Sequence, residues 1–218
     1  MKLYTTHRSS AAYRVRIALA YKGLEYESEY VSLNKTTGDI RTPEYLEMNP
    51  QGMVPTLVEG RRVYRQSLAI LEYLDEVYPH PSILPGNSRD RERIRSLSQV
   101  IVRDIDPLTE PRVIAYLKQD LELGNKACKT WAKHWYDEGM QALERLMADN
   151  PATSRFCHGD IPTMADICLV PQVKMAESLG WTLSTYPTIA RIYHRCMELE
   201  AFRSTAPQLS DEEDALLE

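Results

Sequence analysis

Apolar and polar positions change their period once along this chain, at about residue 80. Before that point the apolar residues come in short blocks: Leu3-Tyr4, a helical run from Tyr13 to Leu19, a strand-like stretch from Tyr26 to Leu33, and Val54 to Val58. A turn signal at Gly60, the pair Val63-Tyr64 and a second helical run from Leu68 to Leu74 complete the series. The order strand, helix, strand, helix, strand, strand, helix predicts a sheet with helices packed on it. The prolines of Pro79-His80-Pro81-Ser82-Ile83-Leu84-Pro85-Gly86 then stop the preceding helix, because each lacks an N–H and disfavours helical geometry in the residue before it. Beyond them the period is helical over 89–117, 126–148, 163–179 and 186–197, with Pro107 and Pro111 breaking the first of these runs. The predicted organisation is an α/β domain over 1–80, a Pro-rich linker over 81–87 and an all-α helical bundle over 88–218. The break at Pro107 is expected to face a cleft between the two domains.

Composition narrows the class. The chain has 218 residues, 43% of them apolar, enough for two modest cores. No apolar run approaches the roughly 18 residues that a membrane span needs. The opening Met1-Lys2-Leu3-Tyr4 runs straight into Thr5-Thr6-His7-Arg8, which is not a secretory signal, so a soluble cytoplasmic protein is expected, with no membrane partner. A net charge of −5 with both signs interspersed argues against a nucleic-acid partner. Cys128, Cys157, Cys168 and Cys196 lack metal-ligand spacing; they are read as free thiols, with Cys168 and Cys196 buried on helices and no metal site. The acidic stretch Asp211-Glu212-Glu213-Asp214 reads as a solvated tail.

The chemistry concentrates at Ser9-Ser10, where the first strand feeds a helix. The first N–H groups of a helix have no partner within it, and the helix dipole places partial positive charge there, so a thiolate, carboxylate or phosphate is stabilised at that spot. Serine is also a favoured N-cap, and the two uses are compatible: one hydroxyl can cap while the other meets a ligand. Thr163 and Asp166 form an N-capping arrangement, and Gly180 supplies the stop of the same helix.

Three further blocks turn this pattern into a resemblance. Ser-Ser-x-x-Tyr-Arg-Val-Arg-Ile-Ala-Leu from Ser9, Asn-Pro-x-x-x-Val-Pro-x-Leu from Asn49 and Gln-Ser-x-Ala-Ile-x-Glu-Tyr-Leu from Gln66 resemble the zeta class of the glutathione transferase superfamily. That class includes maleylacetoacetate and maleylpyruvate isomerases. Gly159-Asp160, Thr163-Met164-Ala165-Asp166 and Leu169-Val170-Pro171-Gln172-Val173 extend the resemblance over nearly the whole chain.

The resemblance implies a thioredoxin-like N-terminal domain that binds glutathione, an all-α C-terminal domain that contributes the electrophile site, and a homodimer. It implies that Pro55 follows a cis bond, turning the Val54 backbone outward to pair with the cysteinyl part of glutathione. Gln66 and Ser67 would receive the γ-glutamyl carboxylate, with the N-cap as the lesser alternative for Ser67. Gln51 would touch the glycyl end. Ser9, with Ser10 second, would donate to the sulfur and favour its thiolate. The implied reaction is thiolate addition to the cis double bond of a maleyl group, rotation and elimination. Its anionic substrate calls for cations, and Arg8, Arg14 and Arg112 are the candidates, Arg14 being read as structural and His7 as either a helix-start residue or a ligand contact.

This chain departs from the pattern at three places. Ala11 stands where many members have cysteine. Ser178 stands where many have an arginine, and Lys174, one turn earlier, is the possible substitute. Asp106 would repel an anionic substrate near Pro107. The alternatives are therefore a glutathione transferase or peroxidase acting on other electrophiles, or a glutathione-binding protein with little turnover.

Overall fold

The computed structural model describes residues 1–33, 38–178 and 180–207. The chain divides into two units, Met1–Ser82 joined by the residues from Glu200, and Ile83–Leu199. Asp211-Glu212-Glu213-Asp214 lies outside the described residues.

In the first unit, β1 (Lys2–Thr5) leads to α1 (Ser10–Tyr21), β2 (Glu27–Tyr30), a short 3-10 turn at Asp39–Arg41, α2 (Pro43–Met48), β3 (Thr56–Glu59), β4 (Arg62–Arg65) and α3 (Ser67–Val77). The strands are ordered β2-β1-β3-β4. β1 runs parallel to β2 and antiparallel to β3, with Leu3 opposite Leu57, and β3 and β4 form a hairpin. Gly60, at φ +58°, makes the hairpin turn, a conformation that glycine adopts without steric penalty. This is the thioredoxin-like sheet that the order of segments predicts.

α1 is the centre of the unit. Eight consecutive residues from Ala12 to Leu19 are buried, so this helix is covered on every side rather than along one stripe. Part of that cover is α10 (Glu200–Arg203). The tie is polar as well as apolar. The Tyr13 hydroxyl donates to the Phe202 carbonyl at 2.7 Å and Arg16 Nε to the Thr205 carbonyl at 3.2 Å, while Phe202 itself is fully buried. A second polar anchor closes the unit beside the Pro-rich segment: Lys22 Nζ donates to Asp75 Oδ1 at 2.8 Å and to the carbonyls of Tyr78 and Pro81 at 2.7 and 2.8 Å. All three ammonium protons thus have acceptors, which is what a buried lysine requires.

The second unit is helical: α4 (Ser88–Gln99), α5 (Asp106–Thr109), α6 (Pro111–Gln119), α7 (Asn125–Ala148), α8 (Met164–Ser178) and α9 (Pro187–Met197). α4 begins in a reciprocal capping box between Asn87 and Asp90. The helix does not break at Pro107 directly; it first widens into a π-helical stretch at Val100–Ile105, and α5 then starts at Asp106 and α6 at Pro111. Gly139 on α7 makes room for that stretch, since a Cβ there would stand 2.2 Å from Ile105 Cγ1. Among the described residues no helix is long and apolar enough to cross a membrane.

Candidate glutathione site

Ser9 is the N-cap of α1: its backbone is extended and its Oγ accepts the Ala12 N–H at 3.1 Å. Capping uses a lone pair and leaves the hydroxyl proton to donate elsewhere. Ser10 is the first helical residue, and Arg8 sits half-buried one residue before the cap. His7 stacks on Tyr30 with ring centroids 4.3 Å apart.

The loop between α2 and β3 is held from inside. Asn49, almost fully buried, donates through Nδ2 to the Met53 carbonyl at 2.8 Å and to Thr56 Oγ1 at 3.0 Å, and its Oδ1 accepts the Gln51 N–H at 3.2 Å. The Tyr45 hydroxyl adds a second bond to the Met53 carbonyl at 2.8 Å. Gly52 turns at φ +57°, where a Cβ would meet Arg41 Nη1 at 2.8 Å. Tyr45 is a structural contributor that the sequence pattern did not single out, whereas Asn49 stood there only as the first residue of the Asn-Pro motif, although Asn before Pro in a Gly-containing turn is the type of signal that marks such a side chain.

Val54 follows, and its bond to Pro55 is cis. Its side chain is buried in one cluster with Ala12, Val31, Ile40 and Tyr45, so the start of α1 and this segment share a core contact. Among the described residues, neither the N–H nor the C=O of Val54 makes a backbone hydrogen bond outside the strands and helices.

Gln66 and Ser67 open α3. Gln66 has φ +68°, unusual for a residue with a Cβ, and makes no side-chain cap; its Nε2 instead donates to Gln51 Oε1 at 2.8 Å. Strained backbone of this sort is retained where surrounding structure fixes it and clusters at binding sites. Ser67 is 5% exposed and its Oγ accepts from Arg14 Nη1 at 3.4 Å. Ser9, Ser10, Val54, Gln51, Gln66 and Ser67 all belong to the first unit, and two pairs among the residues around them, Gln51 with Gln66 and Arg14 with Ser67, are in direct contact.

Arg8 and Arg14 lie in the first unit as well, whereas Arg112, Lys174, Asp106 and Ser178 belong to the second. Arg112 is exposed at the start of α6 and pairs with Glu110. Lys174 is exposed on α8 and lies 3.7 Å from Glu177. Asp106 is buried at the start of α5. Ser178 ends α8, and its side chain lies outside the described residues. Thr163 and Asp166 are structural: Asp166 accepts the Thr163 N–H, the Thr163 hydroxyl and the Cys157 N–H, each at 2.8 Å. Burial nonetheless pushes the Asp166 carboxyl above its ordinary value, against the pull of those donors. All four cysteines are free and buried, and burial raises the thiols of Cys157 and Cys196 well above the usual range.

Known proteins share this architecture throughout. Residues 8–77 match the family described as glutathione S-transferase, N-terminal domain. A maleylacetoacetate isomerase of Rhizobium meliloti is 44% identical over 94% of this chain and 95% of its own. A solved maleylpyruvate isomerase, described as a bacterial glutathione S-transferase of the zeta class, has a TM-score of 0.92 and 39% identity, covering 97% of this chain and 99% of that one. A maleylacetoacetate isomerase from Methylobacterium extorquens AM1, solved with bound malonate and GSH, has a TM-score of 0.91 and 38% identity, covering 95% and 96%. The chain therefore belongs to the glutathione S-transferase superfamily, in the zeta-class family of maleylacetoacetate and maleylpyruvate isomerases.

Proposed function

We propose that this protein is a glutathione-dependent cis–trans isomerase of a maleyl keto acid, maleylacetoacetate or maleylpyruvate, working in aromatic-ring catabolism. The observation that carries this reading is similarity to such isomerases along almost the entire chain, at 44% identity for one of them. The residues of the first unit fit glutathione: a backbone segment at Val54 that among the described residues makes no backbone hydrogen bond outside the strands and helices, a start of α3 without a side-chain cap from Gln66, and a helix start with two hydroxyls.

In this scheme the Val54 N–H and C=O hold the cysteinyl residue as a short strand pairing. The Ser67 hydroxyl and the first N–H groups of α3 receive the γ-glutamyl carboxylate. Gln66 and Gln51, already joined, flank the peptide. When bound, glutathione supplies a thiolate that adds to one carbon of the cis double bond and leaves after the resulting single bond has rotated. Ser9 donates its free proton toward the sulfur, and the start of α1 adds partial positive charge, so the thiol ionises below its usual value near 8.5. Arg8, immediately before the serine pair and half-buried beside the cap, is the cation assigned to the substrate carboxylate.

The pairings of Arg112 with Glu110 and of Lys174 with Glu177 favour a second reading, transfer of glutathione to neutral electrophiles. The two are separated by assaying a maleyl keto acid beside a neutral electrophile, for the parent and for Ser9→Ala and Ser10→Ala. The isomerase reading predicts glutathione-dependent loss of the cis substrate, with Ser9→Ala lowering turnover by about 10²-fold, the scale of one lost donor at a developing anion, and binding glutathione nearly as well as the parent. Conjugation of the neutral electrophile without isomerisation would leave the transferase reading standing. We assign the working form to a cytoplasmic homodimer, in keeping with closed two-fold pairs among soluble oligomers and with four free cysteines. Light scattering should give a mass near twice that of the chain.

A further inference from the structure

Arg14 is 1% exposed, yet it is a permanent cation lying on α1 in the second turn after the Ser9 cap. Its Nη1 donates to Ser67 Oγ at 3.4 Å, linking the helix assigned to the sulfur with the helix assigned to the γ-glutamyl carboxylate. A guanidinium has donors only, so the Ser67 oxygen must accept on that side and its proton is left to point at another acceptor. The start of α3 is short of acceptors too. Gln66 makes no cap, because its side chain is engaged with Gln51. The first N–H groups of α3 and the Ser67 proton therefore present donors to whatever binds there.

We propose that Arg14 is a positioning residue for anion recognition: it fixes the Ser67 hydroxyl as a donor and makes the start of α3 selective for a carboxylate over its neutral amide. This rests on the assignment of Ser67 to the γ-glutamyl carboxylate. A carboxylate is acceptor-only and satisfies every group at the site. A carboxamide brings N–H donors against donors, and a site built from one hydrogen-bonding sign rejects it.

The test is calorimetric binding of two ligands, glutathione and its analogue with the γ-glutamyl α-carboxylate converted to a carboxamide. Each is titrated into the parent, Arg14→Met, Arg14→Lys, Ser67→Ala and the Arg14→Lys/Ser67→Ala double variant, with thermal unfolding recorded for all. The parent should prefer glutathione over the amide by about 10- to 100-fold, the scale of hydrogen bonds to a charged group. Arg14→Met should lose about tenfold in glutathione affinity and almost nothing for the amide, collapsing the preference. Because Arg14 acts through Ser67, the losses of Arg14→Lys and Ser67→Ala should combine to less than their product by at least about threefold. A folded Arg14→Met that keeps the parental preference, or that loses both ligands equally, overturns the inference. If Arg14→Met does not fold, losses that multiply to within about twofold in the Arg14→Lys/Ser67→Ala double variant overturn it. A parent with no glutathione affinity removes the underlying function as well, whereas a parent that binds and discriminates while the Arg14 variants behave like it removes this inference alone.

Discussion

Gln66 Nε2 donates to Gln51 Oε1 at 2.8 Å, joining the residue that opens α3 to the loop that precedes the cis bond. The bond explains why Gln66 tolerates φ +68°: its side chain is directed across the site instead of back over its own helix. Glycine adopts that backbone without a Cβ penalty, whereas alanine does not. Gln66→Gly should therefore be more stable than Gln66→Ala by about 1 kcal/mol, while both lose glutathione affinity to a similar extent. Urea unfolding together with calorimetric titration checks the pair, and equal stability of the two variants would show that the backbone there is not strained.

Lys22 and Asp75 form an ion pair whose side chains are 0% and 9% exposed. Removing Lys22 takes away the buried cation that faces the Asp75 carboxylate. Lys22→Met should lower the unfolding free energy by about 3–5 kcal/mol, and Lys22→Met combined with Asp75→Leu should recover much of that loss. Chemical denaturation of the three proteins measures it, and a single variant as stable as the parent would contradict the description.

Asp166 makes a pH-dependent contribution of definite sign. Its folded value is raised above the unfolded one by burial, so the native state holds the proton more tightly and the stabilisation is fully present below the unfolded value. That stabilisation is lost as pH rises through the raised folded value. Asp166→Asn should be less stable than the parent at every pH, because it forfeits acceptors for Thr163 and Cys157. The gap should be widest in mild acid and narrow toward neutrality. Unfolding free energies from pH 4 to 7 test this, and a gap that widens toward neutrality would show that the carboxyl is favoured ionised.

The parts of this molecule that were legible in the sequence are those carried by local signals. The apolar start Leu3-Tyr4, the helical run from Tyr13 to Leu19, the turn at Gly60 and the capping pair Thr163 and Asp166 each announce their structure within a few residues, and the structure has them so. The cap at Ser9 was legible for the same reason. Long-range packing was not. Lys22 reads as a solvated helix-end cation until the backbone carbonyls of Tyr78 and Pro81 are brought over it. The return of Phe202 to α1 depends on contacts almost two hundred residues apart, for which the sequence carries no periodic signal. The pairing of Arg112 with Glu110 and of Lys174 with Glu177 was local but ambiguous, since the same spacing suits a solvated ion pair and a ligand-facing cation.

The most direct test of function follows the cis double bond itself. Purified protein is mixed with maleylacetoacetate or maleylpyruvate, with and without glutathione, and the conversion to the fumaryl isomer is followed by its ultraviolet spectrum and by proton NMR of the vinylic protons. An isomerase of this family predicts rapid conversion that requires glutathione and regenerates it unchanged, with glutathione consumption far below the amount of substrate isomerised. Stoichiometric consumption of glutathione, or binding of glutathione with no acceleration of either isomerisation above the protein-free rate, would contradict it.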